Sequence, residues 1–207
     1  AVQTLAAWLS PGYPTGAFAN SHGLEWAVEA GAVTDGAGLQ AWAEDLLDRG
    51  AGRADAILLR HAHAAADPAP LAELARALAS SAERLHETEA QGAAFARTTA
   101  AAWGLELAPA PYPVAVGRAA GLMGLPAGLA ATLYLQAFAA NAISAGVRLI
   151  PLGQTEGARR LARLLPLAAR VAAETEGATL DDLGGCALSG DLAAMLHETQ
   201  ATRLYRT

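Results

Sequence analysis

Residues 119–147, AAGLMGLPAGLAATLYLQAFAANAISAGV, contain no charged residue, and how this stretch folds decides the architecture. It is longer than the roughly 20 apolar residues with which a helix crosses a bilayer. However, Pro126 and its neighbouring glycines divide it, and Gln136, Asn141 and Ser144 fall in the part that could span. Alanine also contributes little to membrane insertion. We therefore interpret the stretch as a central helix buried on all sides by other helices, with no membrane partner.

The flanking sequence carries the apolar periodicity of amphipathic helices. After Asp35, a candidate N-cap, apolar residues recur at helical spacing: Leu39, Trp42, Ala43, Leu46 and Leu47. Similar stripes follow up to residue 171, and no alternating β-branched run competes with them. We predict an all-α fold, a single-domain helical bundle over residues 1–207 with a buried central helix and a C-terminal tail.

The charged residues exclude several functions. Fourteen basic and twenty acidic residues give a net charge of −6, which argues against nucleic acid as the main partner. Every basic residue is arginine, so a Walker A loop and a Schiff-base lysine are both excluded. Because Cys186 is the lone cysteine and no charged-then-apolar leader is recognisable, we expect a cytoplasmic protein without disulfides.

No catalytic or metal-binding pattern stands out. His61 and His63 are two positions apart, which on a helix turns them about 200° away from each other. The sequences HETEA and HETQA lack the second histidine of a zinc-protease helix. Nucleophile-elbow and dinucleotide-binding glycine motifs are absent as well. We expect no bound cofactor, no metal site and no enzyme activity.

Three polar segments instead interrupt the apolar helices: SPGYPTGAFANSHGLE (10–25), NAISAGVRLIPLGQTEG (141–157) and HETQATRLYRT (197–207). In the first, Asn20 or Ser21 can cap a helix whose first turn holds Glu25, where the helix dipole favours a carboxylate. A helix cap needs only a small polar residue, so capping does not explain Tyr13 and Phe18. Aromatic side chains held by a turn are typical of interface anchors. These segments are candidates for docking a partner.

The same segments resemble the urease accessory protein F (UreF) family. The first matches its motif at Pro14, Gly16, Ala17, Phe18, Ser21, Gly23, Leu24 and Glu25. The second matches at Val147, Arg148, Leu149, Pro151, Leu152, Gly153 and Gln154. The third matches at His197, Glu198, Thr199, Thr202, Arg203, Leu204, Tyr205 and Arg206. Three motifs in the family's order, over nearly the whole chain, make the resemblance specific.

The resemblance implies an all-helical homodimer that helps insert nickel into apo-urease. Members bridge a UreD/UreH-like accessory protein and the nickel-carrying GTPase UreG. Residues 13–25 would then be a docking loop with Phe18 as its anchor, and residues 197–207 a tail that is disordered until it binds the UreD-like partner. The implied partner-binding residues are Tyr13, Pro14, Phe18, Ser21, His22, Glu25, Arg148, Gln154, Arg203, Leu204, Tyr205 and Arg206.

Two alternatives of other classes stay open. The chain could stimulate GTP hydrolysis by supplying Arg203 or Arg206 to the partner GTPase. It could also carry nickel itself through His22 and His197, although transition-metal sites normally need several converging ligands.

Overall fold

The computed structural model describes residues 1–207 as ten α-helices and two short 3₁₀ helices, without β-strands. The all-α prediction is confirmed. The 3₁₀ helices span Ala17–Ala19 and Leu180–Asp182. The α-helices are α1 (Val2–Trp8), α2 (Leu24–Glu29), α3 (Gly36–Asp48), α4 (Ala51–Ala64), α5 (Ala69–Ala77), α6 (Ala82–Trp103), α7 (Tyr112–Leu122), α8 (Ala127–Leu149), α9 (Gln154–Glu174) and α10 (Leu188–His197).

Helix α3 forms as its periodicity predicts. The carboxylate of Asp35 accepts a hydrogen bond from the backbone N–H of Gly38 at 2.8 Å, which caps the first turn. All five residues of the predicted apolar stripe are buried, and they join one large core shared with α8 and α9. The polar face, by contrast, is at least partly open to solvent.

The uncharged stretch forms the end of α7 and most of α8, with a turn before Pro126. Helix α8 is central, since it packs against α3, α4 and α9. The prediction that it is buried on all sides is wrong: Gln136, Ser144 and Arg148 are exposed. The exposed face could not be predicted from the composition, because it includes half-exposed alanines such as Ala137 and Ala140. Alanine suits a helix surface as well as a core. No helix is both long and apolar enough to cross a membrane.

Helices α4 and α7 approach each other most closely through two glycines on α7. A Cβ atom at Gly117 would overlap the backbone carbonyl oxygen of Leu59, and one at Gly121 would overlap that of His63. The two backbones are therefore in direct contact, which no larger residue would permit. Nearby, Nε2 of His63 lies 2.7 Å from the carbonyl oxygen of Leu125, while Nε2 of His61 lies 2.9 Å from that of Ala178.

Candidate partner-binding surfaces

The loop between α1 and α2 is shaped by left-handed backbone. Gly16 has a φ of 79°, and the consecutive residues His22 and Gly23 have φ values of 55° and 75°. A Cβ atom at Gly23 would overlap the backbone of Ala193 and Ala194, so the start of α2 lies directly against α10. At Gly23, a larger residue would be strained both by the positive φ and by the close approach of α10.

The two aromatic side chains of the loop have different surroundings. Tyr13 is half-buried, with its ring centroid 5.7 Å from that of Phe95 and its hydroxyl 2.7 Å from that of Thr99. Phe18 is 70% exposed, in the middle of the short 3₁₀ helix. Tyr13 therefore fastens the loop to α6, whereas Phe18 is free to contact another molecule.

The C-terminal tail is packed onto this loop, so the expected disorder is not what the structure shows. The carboxylate of Glu25 accepts hydrogen bonds from the backbone N–H groups of Leu204 at 2.6 Å and Tyr205 at 2.9 Å. The carbonyl oxygen of Thr207 accepts from the backbone N–H of Ser21 at 2.6 Å and from its hydroxyl at 2.8 Å. A short polar segment gains order here because a buried carboxylate satisfies its backbone.

The histidine of the tail motif is fully buried between two carboxylates. Nδ1 of His197 lies 2.6 Å from Glu83, and Nε2 lies 3.1 Å from Glu25. The Arg203 guanidinium donates to the other oxygen of Glu83 at 2.6 Å. Helices α2 and α6 are thereby joined to both ends of the tail segment.

Arg148 of the second motif contacts residues of both the first motif and the third motif. Its guanidinium donates to the carbonyl oxygen of Phe18 at 3.0 Å and lies 4.8 Å from the ring centroid of Tyr205. Gln154, the first residue of α9, lines a shallow groove between α8 and α9 together with Arg148. The exposed side chains of Phe18, Arg148 and Gln154 thus form one continuous region, which we call the loop surface.

Beneath the loop lies a buried charge cluster that sequence reasoning missed. The carboxylate of Glu87 is within 2.5 Å of the Arg84 guanidinium and accepts from Gln91 at 2.8 Å and from the Thr207 hydroxyl at 2.8 Å. Nε2 of His22 lies 3.2 Å away. Burial, reinforced by the Arg84 charge, lowers the pKa of His22 to about 4, so its ring is neutral near pH 7. The sequence did not indicate this cluster, because Arg84 and Glu87 are three residues apart on a helix, a spacing typical of surface ion pairs.

A cavity of about 120 Å³ is lined by residues of both this cluster and the loop. Asp55 of α4 is part of its lining and accepts a hydrogen bond from the Tyr134 hydroxyl at 2.7 Å. Burial raises the pKa of Asp55 to about 6, although the nearby Arg84 charge acts in the opposite direction. A carboxyl of this kind marks a functional-site candidate, since it holds a charge that its surroundings do not fully compensate.

A second exposed region lies on α10 and is apolar. Its members are spaced as neighbours on one helical face and are 43 to 63% exposed: Leu188, Leu192, Met195 and Leu196. We call this stripe the helix surface. Leu204 of the tail, which is 79% exposed, follows it in the chain. Four large apolar side chains in a row on one helix exceed the single exposed leucines that any surface carries.

The sequence-predicted site residues divide into two sets by exposure. Side chains open to solvent are those of Pro14, Phe18, Arg148, Gln154, Arg203, Leu204 and Arg206. Buried or half-buried side chains are those of Tyr13, Ser21, His22, Glu25 and Tyr205. The second set holds the loop and tail in place from beneath, and a direct contact of these residues with a partner stays a prediction.

The histidines do not converge on a metal ion. No group of three or more His, Cys, Asp or Glu side chains is arranged to hold one. His22 is paired with Glu87, and His197 with Glu25 and Glu83.

Sequence comparison with known proteins finds relatives that extend over the whole chain. A sequence model of the UreF family matches residues 33–165, which include the second motif. The urease accessory protein UreF of Cereibacter sphaeroides (strain KD131) is 58% identical over 207 residues, which cover 100% of this chain and 99% of that protein. The urease accessory protein UreF of Roseobacter denitrificans is 50% identical over 206 residues, 99% of this chain and 93% of the relative. These alignments also span the loop and the tail.

Proposed function

The chain belongs to the UreF family of urease accessory proteins, and we propose that it acts as a non-catalytic adaptor during nickel insertion into apo-urease. It bridges a UreD/UreH-like protein and the GTPase UreG, works in the cytoplasm and functions as a homodimer. It binds no cofactor of its own, because nickel is handled by the complex.

The observation that carries this proposal is the exposed apolar stripe of α10. Leu188, Leu192, Met195 and Leu196 would lose solvent contact only if another protein covered them. Exposed apolar patches of this kind are typical of protein interfaces. Since the tail that follows α10 presents Leu204 as well, we assign the helix surface and the tail to the UreD/UreH-like partner.

The loop surface suits a second partner. Its one large aromatic side chain, Phe18, stands beside the polar side chains of Arg148 and Gln154. Aromatic and arginine side chains are enriched at interface hot spots, while a polar rim is typical of complexes that form and dissociate. We assign this surface to UreG, which must arrive and leave during nickel delivery.

Co-purification of this chain with both partners tests the assignment. Leu192→Glu places a charge in the helix surface and should remove the UreD/UreH-like protein but not UreG. Phe18→Ala should do the reverse. Leu180→Glu is the matched control, because Leu180 is a 39% exposed leucine outside both surfaces. A wild-type chain that binds neither partner would contradict the adaptor function, and loss of both partners in either variant would contradict two separate surfaces.

A regulator of GTP hydrolysis is the second candidate, and Arg206 is the residue that favours it. The side chain of Arg206 is exposed and forms no salt bridge, whereas that of Arg203 is paired with Glu83. An arginine supplied to a GTPase must be free to reach the nucleotide. Direct nickel transport by His22 and His197 has less support, because both rings are already paired with carboxylates. Equilibrium dialysis that detects nickel binding tighter than about micromolar would revive it.

A further inference from the structure

The cavity under the loop runs from the loop surface to two carboxylates, of which Glu87 is buried and Asp55 is half-buried. Phe18, Thr15 and Arg148 line its outer part, and Asp55, Glu87 and Tyr134 are also among its lining residues. Phe18, Thr15 and Arg148 are all exposed or half-exposed, whereas Glu87 and Tyr134 are buried. A side chain that entered beside Phe18 would therefore meet acidic groups inside.

The charges of the inner part of this cavity do not balance, although Arg148 at the outer part carries a second positive charge. Arg84 is the one positive charge of the buried cluster, and it is within 2.5 Å of Glu87. Asp55 keeps a single hydrogen-bond donor, the Tyr134 hydroxyl, although a carboxylate can accept several bonds. One negative charge is therefore left over when both carboxyls are ionised.

A ring nitrogen in the same cavity also lacks a hydrogen-bond partner. Nδ1 of the neighbouring His22 is buried and has no hydrogen-bond partner. Buried polar atoms are nearly always paired, so the exceptions call for an explanation such as a ligand that the free protein lacks. Asp55 and His22 both line this cavity.

We infer that the cavity is a receptor for one long cationic side chain, a lysine or arginine, presented by the protein that binds the loop surface. The inference rests on the proposed function for the identity of that protein. The cation would pair with Asp55, and its methylene stem would pass the ring of Phe18. An anion would meet Asp55, the lining carboxylate without a cationic partner, and no set of three metal ligands is present.

Arg148 keeps its positive charge, but its side chain is exposed, so solvent screens that charge more than it screens the inner carboxylates. Its guanidinium is already bound to the carbonyl oxygens of Phe18 and Ser144 and stacks on the ring of Tyr205. It therefore shapes the outer part of the cavity while Asp55 supplies the attraction inside.

Binding of butylguanidinium to the full chain tests the receptor, with 1-butanol as the uncharged probe of similar length. Titration followed by NMR should show butylguanidinium binding at least tenfold more tightly than 1-butanol. Asp55→Asn should weaken butylguanidinium at least tenfold, while Asp181→Asn, which changes an exposed carboxylate, should leave it unchanged. Equal binding of the two probes, or unchanged binding in Asp55→Asn, would overturn the inference.

A second variant guards against a misfolded Asp55→Asn protein. Tyr134→Phe keeps the carboxylate and removes its hydrogen-bond donor, so it should bind butylguanidinium at least as tightly as wild type. A tenfold loss in Tyr134→Phe would overturn the assignment of Asp55 as the attracting group. Because these titrations contain no partner protein, a chain that recruits both partners but ignores butylguanidinium refutes the receptor and leaves the adaptor intact.

Discussion

The carboxylate of Glu25 lies 3.1 Å from Nε2 of His197, although 172 residues separate them. The same carboxylate accepts the backbone N–H groups of Leu204 and Tyr205. One acidic side chain at the start of α2 therefore fixes the end of α10 and the tail beyond it. The first and third family motifs meet at this group, which explains how segments from opposite ends of the chain form neighbouring surfaces.

Replacing Glu25 by alanine should destabilise the protein and release the tail. Hydrogen bonds to a charged group contribute about 1.5 to 3 kcal/mol each but are not additive, so we expect a loss of about 2 to 4 kcal/mol in the free energy of unfolding. Urea denaturation measures this loss, and trypsin should cleave faster after Arg203 and Arg206. Glu73→Ala, which removes an exposed i,i+3 ion pair with Arg76, is the control and should cost less than about 1 kcal/mol. An unchanged cleavage rate in Glu25→Ala would show that the tail is held by other contacts.

Asp55→Asn should stabilise the protein at neutral pH. The native state raises the pKa of Asp55 from 3.8 to about 6, so it binds this proton more tightly than the unfolded state does. The resulting stability is fully present below about pH 4 and is lost as the pH rises through 6. At 1.36 kcal/mol per pKa unit, we expect the variant to gain about 1 to 3 kcal/mol at pH 7.5.

The difference in unfolding free energy between Asp55→Asn and wild type isolates this carboxyl from the others. It should grow between pH 4 and pH 6 and stay constant above, as measured by urea denaturation at each pH. A difference that does not change with pH would mean that Asp55 titrates normally.

Gly117→Ala should destabilise the contact between α4 and α7. Its new methyl group would overlap the carbonyl oxygen of Leu59, and the helices must separate to accommodate it, at a cost of about 1 to 3 kcal/mol. Gly128→Ala on α8 is the matched control, because its Cβ would come no closer than 3.8 Å to a side-chain atom of Arg60. There alanine should stabilise the helix by up to about 1 kcal/mol. Thermal unfolding of the two variants should therefore shift in opposite directions.

Arg206→Ala should leave the partner's GTP hydrolysis unchanged if the chain is purely an adaptor. Single-turnover assays with UreG in the assembled complex measure this rate. Arg203→Ala is compared in parallel, because it breaks the ion pair with Glu83 and should loosen the tail without touching the nucleotide. Loss of turnover in Arg206→Ala with complex formation retained would favour the regulator instead.

Local patterns predicted the helices well. The Asp35 cap and the apolar stripe of α3 follow from residues within two turns of one another, so their periodicity is readable in the sequence. The exposed face of α8 was not readable, because alanine is common both in tight helix contacts and on helix surfaces. Phe18 could be selected as an anchor since nothing in its own segment explained an aromatic side chain.

The packed tail and the charge cluster depend on distant partners, which a single sequence does not reveal. Nothing near Glu25 signals that it will bind Leu204, 179 residues later. Arg84 and Glu87 resemble an ordinary surface pair until His22 and Thr207 close over them. Asp55 gave no signal, because the cavity that makes it unusual is formed by helices far apart in the chain.

The docking of the tail also determines when the fold can be completed during synthesis on a ribosome. Glu25 emerges early, but the backbone groups that it binds are made 179 residues later. At about 5 to 20 residues per second, this interval is roughly 10 to 35 s. Throughout it, the start of α2 lacks its contacts with the tail, although Tyr13 can already join the loop to α6 once that helix has been made. The nascent chain therefore carries a loop surface that lacks its tail contacts until residues 204–207 have been made.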